Sequence, residues 1–126
     1  MAASFADPTA SDLARIDVVT HDASVRLVVT GEIDASTAPD LARSIDDALA
    51  GGPGSLTVDL CGVSFLDSAG LSALATAHRL AREAEVVLRV LASARAVIRP
   101  LQITGLWRLL GAEQVDPDRV RDEIVA

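Results

Sequence analysis

The run Gly51-Gly52-Pro53-Gly54 constrains this chain more than any other stretch, because it separates two patterns that cannot belong to the same element. Before it, DASTAPDLARSIDDALA places Leu41, Ile45, Ala48 and Leu49 on one face at helical spacing. Asp40, Arg43, Asp46 and Asp47 fall on the other, Pro39 sits in the first turn, and Ser36 or Thr37 is available as a cap. After it, SLTVDLCGV is a run of strand-forming residues. Glycine and proline together end a helix as firmly as local sequence can. The chain must therefore turn there and send a strand back along the helix.

The same alternation recurs on both sides. Upstream, ARIDVVTHD and SVRLVVTGEI are two β-branched runs joined by the turn-prone HDAS, which predicts a hairpin in which Val25, Leu27 and Val29 line a buried face. Downstream, Phe65 and Leu66 read as a buried apolar pair ahead of an Asp-Ser-Ala-Gly turn. A second helix follows from about Ala69 to Glu83, with Leu71, Leu74, Ala75, His78 and Ala81 as its apolar stripe. VVLRVLA predicts another strand, and SARAVIRPLQITGL a third helix that Pro100 should bend or shorten. The remaining residues predict a short strand and an amphipathic helix beginning near Pro117, and Trp107 reads as a core plug. The order β-β-α-β-α-β-α defines an α/β fold: one small mixed sheet of four to five strands with helices packed on it, the later strands parallel because helical crossovers join them. Residues 1–13, small, polar and acidic, are expected to be a flexible tail, and 14–126 a single domain.

Composition narrows the function. Aromatic residues make up 2% of the chain, so stacking platforms for bases or sugars are nearly lacking. A net charge of -7 opposes binding to a phosphate backbone or an anionic membrane, so protein partners are expected, with no nucleic acid and no membrane. The single cysteine, Cys61, forms no internal disulfide, MAASFADPTASD has no leader pattern, and no apolar run reaches the roughly 20 residues of a membrane span; a cytoplasmic protein is the expectation.

The hydroxyl of Ser68 has three readings. It, or Asp67, could cap the helix; it could attack a substrate; or it could accept a phosphoryl group. Its position beyond the carboxyl end of a strand is where functional groups collect in open α/β sheets. A hydrolase would need a base, and His78 lies ten residues along the same helix, roughly 15 Å away at about 1.5 Å per residue. His21 belongs to a turn, and no G-x-S-x-G elbow surrounds Ser68. Phosphate-binding loops of either glycine-rich type are lacking, and the single cysteine and scattered acids supply no metal site. No cofactor is expected.

GEIDASTAPDL, VDLCGVSFLDSAGLSAL and AVIRPLQITGL resemble, in order and spacing, the three signature blocks of the STAS domain, specifically of bacterial anti-sigma factor antagonists. The likeness runs from about Val25 to Leu110; Cys61 and Pro100 depart from it. The resemblance implies that Ser68 is the phosphoacceptor and that Asp34 lies near it. It implies a partner switch: the unmodified protein binds an anti-sigma factor that is also a serine kinase of the histidine-kinase-like ATPase fold, and so frees a sigma factor. Phosphorylation ends the complex, a phosphatase resets it, and ATP is bound by the partner. The expected contact set is Asp34, Ser36, Thr37, Asp67, Ser68, Ala69 and Gly70, on a monomer or weak dimer that is not an enzyme. Asp34 reads either as a contact or as a turn cap; Ser36 and Thr37 read as caps before contacts. Gly70 either admits a partner's backbone or packs the helix start on the sheet. The rival reading is a STAS accessory or scaffold subunit, in a stress-signalling complex or beside a lipid transporter, with Ser68 silent.

Overall fold

The structure, a computed structural model, describes residues 14–116; the tail at 1–13 and the helix expected from Pro117 lie outside them. Strands β1 (Ala14–His21) and β2 (Ser24–Ile33) form the expected hairpin. His21 pairs with Ser24, so Asp22 and Ala23 alone make the turn, and Asp22 takes a positive φ of 54°, a conformation that aspartate tolerates better than most residues. Helix α1 (Ala38–Ala50), strand β3 (Ser55–Leu66), helix α2 (Ser68–Glu83), strand β4 (Val87–Ala92), helices α3 (Arg95–Ile103) and α4 (Leu106–Leu109), and strand β5 (Glu113–Gln114) follow. The sheet has five strands in sequence order, β1 antiparallel to β2 and each later pair parallel.

One buried cluster joins the sheet to the helices. Leu27, Val29, Leu56, Val58 and Val90 from the sheet meet Leu41 and Ile45 of α1, Leu74 and Ala77 of α2, and Val97 and Leu101 of α3. Sheet residues of the opposite phase include Arg26 and Asp59, whose Nη1 and Oδ2 lie 3.5 Å apart as a largely buried ion pair.

Strand β3 departs from simple alternation. Val28 opposes Asp59 but Thr30 opposes Gly62, and Gly31 opposes Val63 but Glu32 opposes Phe65, so β3 carries two extra residues in bulges. Inward residues consequently recur every third position, at Leu60, Val63 and Leu66, all in the core cluster. Phe65, expected to share Leu66's burial, is instead 46% exposed.

Two helix expectations also change. The buried line of α2 is Gly70, Ala73, Leu74, Ala77 and Ala81, one residue out of phase with most of the expected stripe. Small side chains let this helix lie close to its neighbours, which leaves Leu71, Ala75 and His78 half-buried on its flank. The third helix is shorter than its apolar pattern. Ser93 is spent on the carbonyl of Cys61 at 3.1 Å, and beyond Pro100 the chain passes through Thr104 and a left-handed Gly105 (φ 82°) into the single turn of α4. Trp107 packs half-buried against the core from that turn.

Candidate functional site

Parallel pairing of β2 with β3 brings two loops to one rim of the sheet. Ile33 and Leu66 are register partners, and the amide of Asp67 donates to the carbonyl of Ile33 at 3.1 Å. Asp34 and Asp67 therefore leave the sheet side by side, one starting the loop into α1 and the other the start of α2.

Asp67 caps α2. Its backbone is extended, and its Oδ1 accepts from the amide of Ala69 at 2.9 Å and, longer, from that of Gly70 at 3.4 Å. Ser68 is thereby relieved of the capping role that sequence left open to it. It is the first helical residue, exposed, and its hydroxyl makes no hydrogen bond among the described residues. The amides that a helix start would offer an anion are partly taken here, so a group added to Ser68 would sit beside a carboxylate that already holds two of them.

The loop before α1 is built on Asp34. Its Oδ1 accepts from the amide of Ser36 at 2.9 Å, the hydroxyl of Ser36 at 2.7 Å and the amide of Thr37 at 3.2 Å. These bonds, Ser36's hydroxyl first, favour the ionised carboxylate and lower its pKa below the ordinary aspartate value. Asp34 thus caps the turn that precedes α1; the N-cap position of the helix is Thr37, and neither its side chain nor that of Ser36 accepts from an amide of α1. Thr37 turns the other way: its hydroxyl gives its proton to the carbonyl of Glu32 at 2.8 Å and receives the amide of Asp34 at 2.9 Å. At 1% exposure it offers no surface to a partner.

Gly70 is also buried, and its space is already occupied. A Cβ there would lie 2.4 Å from Leu66 Cδ1 and 2.8 Å from Ile33 Cγ2. Of the two roles open to it in the sequence, the geometry favours packing the helix start against the sheet. The exposed or half-exposed members of the expected contact set are Asp34, Ser36, Asp67, Ser68 and Ala69.

Ser68 has no histidine within reach. His78 is ten residues along α2, and His21 lies at the far end of the β1–β2 hairpin, roughly 30 Å from the rim that carries Ser68 at about 3.3 Å per residue. Among the described residues no group of three or more His, Cys, Asp or Glu side chains could hold a metal, and no helix is long and apolar enough to cross a membrane. Cys61, behind the rim, has its thiol pKa pushed up to about 12, first by burial and then by the neighbouring Asp59.

A hairpin leading a parallel sheet, with two acid-headed loops and a displayed serine at its carboxyl rim, defines a STAS domain. The family model described as "Mlab, STAS domain" matches residues 16–111, and the chain belongs to this family. Among its relatives, the anti-sigma-F factor antagonist RsfB of Mycobacterium tuberculosis is 34% identical over 99 residues, 78% of this chain and 80% of that protein. The anti-sigma-B factor antagonist of Staphylococcus epidermidis is 30% identical over 95 residues, 75% of this chain and 88% of the relative. The crystal structure of an anti-sigma factor antagonist from Mycobacterium paratuberculosis superposes with a TM-score of 0.76 at 31% identity, covering 91% of this chain and 97% of the other.

Proposed function

We propose that this protein is an anti-sigma factor antagonist switched at Ser68. Unmodified, it binds an anti-sigma factor through the rim formed by Asp34, Ser36, Asp67, Ser68 and Ala69, and so releases a sigma factor. Phosphorylation of Ser68, by an anti-sigma factor that is itself a serine kinase and supplies the ATP, ends the complex; a phosphatase restores it.

The observation that carries this reading is the division of labour at the start of α2. Asp67 does the capping, so the neighbouring hydroxyl is exposed with no structural duty. Modification can therefore leave the fold intact. An interface would not survive it: phosphoserine adds about -1.5 to -2 charges beside Asp67. Like-charge juxtaposition in a desolvated surface costs several kcal/mol, whereas a hundredfold loss of affinity needs only about 2.7 kcal/mol.

The test is intact-mass analysis after incubation with ATP and each purified anti-sigma kinase of the source organism, together with binding by two variants. One added phosphate, lost in Ser68→Ala, is the expected result, with Ser68→Ala retaining affinity and Ser68→Glu losing it. Equal binding by both variants would overturn the switch and favour a STAS accessory subunit in which Ser68 is silent.

A further inference from the structure

The chain has two phenylalanines and one tryptophan, and one of these scarce aromatics stands out at the rim that carries Ser68. The second bulge of β3 directs Leu66 inward and leaves Phe65 46% exposed, three residues before the serine. Its register partner is Glu32, also exposed. With Asp34 and Asp67 each two residues beyond that pair, three acids share this rim with the ring, and none of them forms an ion pair among the described residues. Plain alternation from Val63 would turn Phe65 into the core and Leu66 out of it. The fold instead spends a pairing irregularity to keep the ring outside.

We infer that Phe65 is the apolar anchor of the partner-binding surface, and that its counterpart is a protein pocket with an apolar floor and a rim of arginine or lysine. This rests on the antagonist reading and adds to it which residue supplies affinity. Large aromatics in desolvated pockets dominate interface energetics, while surrounding charges govern encounter and specificity. The two contributions are separable here: an apolar anchor acts mainly on dissociation and is insensitive to salt, whereas the ring of unpaired acids acts mainly on association and is screened. Ser68 then sits beside the anchor, where a phosphate would prevent the ring from seating.

The full chain, unphosphorylated, is titrated against the purified anti-sigma factors of the source organism, with Phe65→Ala, Glu32→Gln and the control Val87→Ala. Val87 is another exposed apolar residue, at the opposite end of the sheet. Phe65→Ala is expected to weaken binding about tenfold or more, at low and high salt alike, through faster dissociation and with an unchanged melting temperature. Glu32→Gln should slow association at low salt only, and Val87→Ala should match the wild type. Wild-type binding that Phe65→Ala leaves intact would overturn the anchor alone. Failure of the wild type to bind any of these factors would overturn the antagonist reading and the anchor with it.

Discussion

Gly70→Ala gives the most direct test of how the rim is held. The added methyl would sit 2.4 Å from Leu66 Cδ1 and 2.8 Å from Ile33 Cγ2, both closer than real contacts allow, and both neighbours are in the core. Overpacking of this kind costs about 1–3 kcal/mol. Against it stands the better helix propensity of alanine, worth up to about 1 kcal/mol over glycine. The clash should win, leaving a net loss of about 1–2 kcal/mol and a melting temperature lower by roughly 4–8 °C. Urea unfolding followed by circular dichroism should show a reduced midpoint at unchanged slope. Relief of the clash would also lift the start of α2, so phosphorylation of Ser68 should slow. An unchanged or raised midpoint would refute the packing argument. Unchanged stability with lost partner binding would restore the other role, a glycine that admits the partner's backbone.

Two further outcomes follow from the same geometry. Asp67→Ala removes the oxygen that caps Ala69 and Gly70 and should cost about 1 kcal/mol, while Asp67→Ser should recover much of it; equal urea midpoints for all three proteins would contradict the capping role. Cys61 should resist thiol reagents at pH 8 in the native state and react fully once unfolded. Its raised pKa means that the native state keeps a proton the unfolded chain releases, so the stabilisation is complete below the unfolded value of 9.0 and is lost as pH rises toward about 12. Cys61→Ala should flatten the fall in urea midpoint over that alkaline range, and an unaltered fall would assign it to other groups.

Much of the fold was visible in the sequence because its punctuation is local. The Gly-Gly-Pro-Gly stop, the turn-prone HDAS and the β-branched runs each act within a few residues, and the element order follows from them. What escaped is what depends on distant partners. Two bulges in β3 cannot be read from its own residues, so Phe65 was expected beside Leu66 inside. The sequence pattern places the stripe of α2 on Leu71, Leu74, Ala75, His78 and Ala81, whereas Gly70, Ala73, Leu74, Ala77 and Ala81 face inward, because close approach favours small side chains. At the rim the displayed serine was evident. Whether Asp67 or Ser68 would cap was not, and Thr37's burial depended on the carbonyl of Glu32, five residues away.

The two irregularities in β3 also give the strand a tolerance for changes in length. Removing one residue between Leu60 and Val63, or between Val63 and Leu66, restores ordinary alternation without exchanging the inner and outer sets of side chains. Most strands would be turned inside out by such a deletion. Here the ladder beyond an excision keeps its register, with Ile33 still opposite Leu66, so the serine stays at its rim and what is lost is the local bend and added twist that each bulge gives the strand.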